Sequence, residues 1–194
     1  MTSGAPRIEP GDRSDVGLFT WALAGVSGRV TGTDAPNLFL TLGRHRKLFR
    51  GWLRFAGRLM PGGTLPRRET ELVILRVAHL RDCRYEFDHH VALGRRAGVT
   101  DADVERVVAG PEDPGWSARE RTLLTAVDEL HHDQDLSDDT WRSVRAELPE
   151  NRAIELVLLV GHYEMLATAI GTLRIQPDKP RRTGGRGAPA RLRR

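Results

Sequence analysis

Residues 69–98 read ETELVILRVAHLRDCRYEFDHHVALGRRAG. From Glu71 the first half is a nearly unbroken aliphatic run: Leu72, Val73, Ile74, Leu75, Val77, Ala78 and Leu80. Pro66 suits the first turn of a helix, and Glu69 and Glu71 near that start favour its positive end. The second half opens around Cys83 and closes at Gly98. If it is helical, Cys83, Glu86 and His90 stand at i, i+3 and i+7 and share one face. The stretch therefore predicts a buried helix, then a second helix whose polar face carries a thiol, a carboxylate and an imidazole.

The neighbouring segments have the same period. Ser14 is placed to cap a helix that Gly32 ends. After Pro36 one run to Met60 repeats Leu38, Leu42, Phe49, Trp52, Leu53 and Leu59 at helical spacing, and Pro61-Gly62-Gly63 stops it. Thr100 starts a short helix. Ser117 with Glu120 forms a capping-box pattern, Ser137 caps another segment, and Pro149 opens a long apolar one. No alternating strand pattern stands out, so the expected fold class is all-α. Residues 1–35 read as an N-terminal arm with one helix, 36–174 as the helical domain, and 175–194 as a disordered basic tail.

The 194 residues suffice for one domain with a core. The net charge of +4 is uneven. From Pro177 onward there are seven Lys/Arg against one acid, a local +6 that leaves about −2 for the body. The body is therefore not expected to bind nucleic acid. One cysteine excludes an intramolecular disulfide. No apolar run looks long enough to span a membrane, and a cytoplasmic protein without membrane contact is the expectation.

Several stretches together resemble the carboxymuconolactone decarboxylase family, which includes alkylhydroperoxidase D. They are Pro36-Asn37-Leu38-Phe39, Leu65-Pro66-Arg67-Arg68-Glu69, Glu71-Leu-Val-Ile-Leu-Arg-Val-Ala, Cys83-Arg-Tyr-Glu-Phe, His90, Ala97-Gly98-Val99-Thr100 and Gly161-His162-Tyr163-Glu164. The resemblance implies a bundle of antiparallel helices that assembles as a homo-oligomer. It also implies an active site of a glutamate, a Cys-x-x-Cys pair and a histidine. Those fall here on Glu71, on Cys83 with Glu86 in place of the second cysteine, and on His90.

That replacement redirects the expected chemistry. A dithiol peroxidase needs a second thiol to resolve the sulfenic acid, and this chain has none. Glu86 and His90, one turn apart with Glu71 nearby, suit proton transfer instead. The expectation is a cofactor-independent acid/base enzyme, a decarboxylase or related lyase or isomerase, acting on a small lactone or carbonyl acid. His90 would move the proton, Glu86 would be its partner and Glu71 would orient it. Arg76, Arg84, Tyr85 and His162 are the candidate substrate contacts.

Other readings stand beside this one. Glu86 and His90 are compatible with a non-catalytic scaffold or a small-molecule-binding member of the family, with Glu71 paired to Arg67 or Arg68. Cys83 alone, resolved by an external thiol, would give a one-cysteine peroxidase. Glu86-x-x-His89 and Glu129-x-x-His132, with Glu71 and Glu155, match the spacing of a di-iron site, although no metal is expected. Finally, Glu71-Leu-Val-Ile-Leu and Glu155-Leu-Val-Leu-Leu hint at an internal duplication.

Overall fold

The structure, a computed structural model, describes residues 4–181. Among these residues lie nine helices: α1 (Arg13–Thr31), α2 (Asn37–Leu42), α3 (Arg46–Leu59), α4 (Arg67–Leu80), α5 (Arg84–Arg96), α6 (Asp101–Ala109), α7 (Ala118–His132), α8 (Asp138–Glu147) and α9 (Glu150–Leu173). The only β contact among them is an isolated bridge between Thr33 and Pro180.

The aliphatic run that opens residues 69–98 becomes the central helix. Nine consecutive residues of α4, Thr70 to Ala78, are buried. A helix covered on every side must be surrounded, and α5, α6, α7 and α9 pack around α4. Its Val73, Ile74 and Val77 face the larger core with Leu123, Leu156 and Leu159. Its Leu72 and Leu75 face a smaller one with Val107, Trp116 and Leu124. Close approach of α5 to α4 depends on Gly94. A Cβ there would sit 3.2 Å from Val99 and 3.6 Å from the Glu71 Cβ.

Capping explains most helix boundaries. Thr100 and Ser117 each accept the N3 amide, and Asp103 and Glu120 bond back to the cap amides. Ser137 accepts from Thr140 at the start of α8. The start of α1 differs from the sequence expectation. Asp12, not Ser14, is its cap, and Asp15 closes the box.

The run from Asn37 to Met60 is also not one helix. It breaks at Gly43, where any Cβ would meet the Phe39 carbonyl and Thr20 Cγ2 at 2.6 Å. The His45 ring nitrogen then caps α3 by accepting from the Leu48 amide. Periodicity persisted across this break because both helices press apolar residues on the same core.

Two further expectations need correction. Residues 175–181 do not form the start of a loose tail. Ile175 is buried, Asp34 N–H donates to the Lys179 carbonyl, and Asn37 N–H donates to Asp178 at 2.8 Å. The expected disorder of 182–194 lies outside the described residues. Secondly, α9 has 24 residues and a mean hydropathy of 1.5, enough by length and composition to cross a membrane. Its apolar character reflects burial in the bundle, where it packs on α3, α4, α7 and α8.

Candidate active site

Two hollows flank the start of α5. The inner one, about 240 Å³, is lined by Trp52 from α3, by Glu86 and His90 from α5 and by His162 and Tyr163 from α9. The outer one, about 450 Å³, is lined by Cys83, Arg84 and Asp88 on one side and Gln176 to Asp178 on the other. Tyr85 and His89 border both. The outer hollow is larger, but the inner one is the one lined by both Glu86 and His90.

Glu71 has no exposed surface and does not line the inner cavity. It stands behind His90, with Oε2 2.7 Å from Nδ1 and Oε1 2.6 Å from the Arg67 guanidinium. A carboxylate buried this deeply needs such partners, because its desolvation otherwise costs several kcal/mol. Arg68 takes no part; it bonds Asp103 and Glu120. Occupation of His90 Nδ1 by Glu71 leaves Nε2 as the nitrogen available to the cavity.

Glu86 lies one turn before His90 on the same face and is 2% exposed. Its carboxyl oxygens meet no nitrogen or oxygen partner, only the Cys83 thiol. Burial, with the charge of Glu164 adding to it, pushes its pKa up to about 8 against the lowering contact from Cys83. The group is therefore a carboxylic acid at neutral pH, a proton donor held in an apolar wall.

Cys83 caps α5, but its thiol is buried within the larger core and does not line the inner cavity. Burial first, and then the charge of Glu86, raise its pKa to about 12. Burial therefore disfavours the thiolate, which is the nucleophilic form. The expected catalytic role for Cys83 is corrected accordingly.

Arg76 is corrected as well. It grips Asp128 through Nε and Nη2 at 2.6 and 2.7 Å and donates to the Val107 carbonyl, away from both hollows. Arg84 is exposed, pairs with Asp88 at 3.2 Å and lines only the outer hollow. Tyr85 does reach the inner cavity, but its hydroxyl donates to Asp178 at 3.0 Å and accepts from the Leu38 amide. Its placement between the hollows makes it a wall.

His162 lines the inner cavity, and burial lowers its pKa to about 4. Trp52 lies 6.1 Å from its ring centroid at an interplanar angle of 15°. Tyr163 meets the rings of both His162 and His90 edge-on.

The residues proposed for a di-iron site do not converge. Glu155 accepts from the amides of Thr64 and Leu65, Glu129 accepts from Ser137 and Thr140, and His89 bonds Asp178. The described residues contain no cluster of three or more His, Cys, Asp or Glu able to hold a metal. Glu71 and Glu155 also differ in role, one holding a histidine and the other capping a loop, so the two similar segments serve unlike ends.

Residues 46–129 match the carboxymuconolactone decarboxylase family. Over that segment the chain is similar to that family. The match spans α3 to α7 and so contains Glu71, Cys83, Glu86 and His90. None of the curated proteins matches the chain.

Solved structures with the same fold extend the likeness beyond the matched segment. One is described as the alkylhydroperoxidase AhpD core, a peroxidase-related protein from Ralstonia eutropha JMP134. It is 16% identical with a TM-score of 0.78, over 90% of this chain and 93% of that one. A peroxidase-related protein from Silicibacter sp. TM1040 is 14% identical with a TM-score of 0.76, covering 90% and 95%. The debrominase Bmp8 is 16% identical with a TM-score of 0.72, covering 88% and 91%. A variant of that debrominase was solved with 2,3,4-tribromopyrrole. Identities this low establish the shared helical fold and not a shared reaction.

The geometry adds two groups that the sequence reading passed over. Asp178 was assigned to the tail, although a lone acid in a basic segment was a visible signal. Trp52 shares the helical spacing of its neighbours, and periodicity does not distinguish a core residue from a cavity wall.

Proposed function

We propose that this carboxymuconolactone decarboxylase-like protein is a cofactor-independent acid/base enzyme that relocates a proton on a small carbonyl compound. The supporting observation is the pairing, on one face of α5, of a buried carboxylic acid with a histidine backed by a carboxylate. Glu86 donates its proton to the substrate's carbonyl oxygen as His90 Nε2 accepts the proton from the adjacent carbon, giving an enol and no net loss of atoms. Return of a proton to a conjugated carbon and of the O–H proton to Glu86 completes an isomerisation. In a decarboxylation, the C–C bond electrons released as CO₂ leaves form the enol while Glu86 protonates the carbonyl oxygen; a His90 protonated from solvent then gives the carbon its proton, and the O–H proton returns to Glu86. Glu71 positions His90 and keeps Nδ1 protonated, so Nε2 presents its lone pair.

The test is turnover of conjugated lactones and ketones by the natural protein and by Glu86→Gln and His90→Ala variants that keep the native melting profile. Each substitution is expected to lower kcat roughly 10²–10⁴-fold, the usual contribution of a positioned acid or base. Full activity in either folded variant would remove the mechanism.

A second copy of this chain is the partner we infer. Ile154, Leu158 and Met165 form an exposed apolar stripe along α9, and Leu18, Trp21 and Val26 do so on α1. Patches of this kind mark contact surfaces.

A further inference from the structure

Three residues that line the inner cavity carry unpartnered polar atoms, and among the described residues the cavity has no free cation. Trp52 Nε1, His162 Nδ1 and both Glu86 carboxyl oxygens are buried without a hydrogen-bond partner. All three residues line the same void. An unsatisfied buried polar group costs about 1–3 kcal/mol, and such groups rarely persist without a reason. Three beside one cavity are explained together by a ligand that completes them.

The charges define what that ligand is. Among the described residues, no Lys or Arg lines the cavity. His89 reaches it, but Asp178 lies 3.1 Å from its Nε2 and neutralises it. His90, the base of the proposed reaction, presents an uncharged Nε2, and the Glu71 carboxylate behind it is already paired with Arg67 at 2.6 Å. An anion placed here would be desolvated with no counter-charge of its own, which is prohibitive in an apolar pocket. It would also stand against Glu86, whose own ionisation the site already opposes.

The donors point the same way. Trp52 offers an N–H only, and a protonated Glu86 offers an O–H, so two of the three lining side chains supply donors suited to a ligand acceptor, with His162 able to serve either way. At about 240 Å³ the cavity falls below the usual range for drug-sized ligands and suits one or two rings.

We propose that the substrate enters this cavity as an uncharged, flat carbonyl compound, such as a conjugated ketone, lactone or amide, and that Trp52 and His162 select it over the corresponding carboxylate. This rests on the acid/base reading of Glu86 and His90 and narrows it from decarboxylation towards isomerisation. The acid expected from sequence would have needed Arg76 or Arg84, and neither reaches the cavity.

Benzamide and benzoate test the proposal, because they share size and shape and differ in charge. Calorimetric titration of the unaltered protein in neutral buffer should show saturable benzamide binding at least ~10-fold tighter than benzoate, the discrimination expected when buried polar groups are left unmatched. Trp52→Phe and His162→Phe should each weaken benzamide about 3–10-fold, as loss of one net hydrogen bond does. Equal or tighter binding of benzoate, or saturable binding of neither, overturns the proposal. If benzoate wins while Glu86→Gln still abolishes turnover, only the substrate class falls. If Glu86→Gln stays active while benzamide wins, the mechanism falls and the selectivity stands.

Discussion

At the scale of single residues, identical side-chain types take opposite roles according to what surrounds them. Glu71 keeps its place because Arg67 and His90 hold both of its oxygens, whereas Glu86, with no such partner, is forced to keep its proton. Arg76 shows the same logic for a cation. From sequence Arg76 is a candidate substrate contact, but a basic residue buried in an aliphatic helix needs an anion beside it. That anion is Asp128, fifty-two positions away in the chain, and no local pattern could reveal it. The pairing leads to a definite expectation. Arg76→Ala should lower unfolding stability by about 3 kcal/mol, since Asp128 and the Val107 carbonyl lose their partner. Benzamide affinity in the folded fraction should be unchanged. Urea denaturation checks the first part, and a loss under about 0.5 kcal/mol, typical of surface substitutions, would refute it.

At the scale of elements, helix type and order were legible from periodicity and caps, as α4 to α9 show. What was not legible was the strap formed by residues 175–181. Its sequence is polar, carries prolines and lacks any period, so it resembled the basic stretch that follows. Besides backbone bonds to Gly32 and Asp34, it is anchored by Asp178, whose side chain is buried. Asp178 accepts from Asn37 N–H and the Tyr85 hydroxyl and pairs with His89. Burial alone would discourage charge on His89. The hydrogen bonds to Asp178 and the Tyr85 carbonyl, with the charges of Asp178 and Asp88, outweigh it and hold the pKa above its ordinary 6.5. A raised histidine pKa means this pair contributes fully below 6.5 and loses its ionic part as pH rises through the raised value. Asp178→Ala should therefore destabilise by about 3 kcal/mol in mild acid and by less in alkali. Melting curves across that range decide it. A penalty that grows with pH would contradict the account.

At the scale of the whole molecule, the bundle buries nine consecutive residues of α4 yet leaves apolar residues of α1 and α9 in the open. Ile154 is 60% exposed and Met165 52%, on a helix whose other face is core. The sequence showed α9 as apolar but could not divide the side facing the bundle from the side facing outward, because both are aliphatic. Self-association through this stripe predicts a sedimentation coefficient above that of a 21.7 kDa monomer. Ile154→Glu with Leu158→Glu should shift it to the monomer value, since two carboxylates cannot be buried in an apolar contact. A monomer from the start would remove the proposed interface.

The inner cavity links these scales, because its function depends on the bundle keeping one carboxyl group dry. Carbon-13 labelling of the glutamate side chains, with Glu86 assigned by comparison with Glu86→Gln, gives its titration directly by NMR. The account predicts a carboxyl that loses its proton at a pKa of about 8. Titration of Glu86 near the ordinary glutamate value of about 4.3 would show an ionised group at neutral pH and contradict its role as the acid.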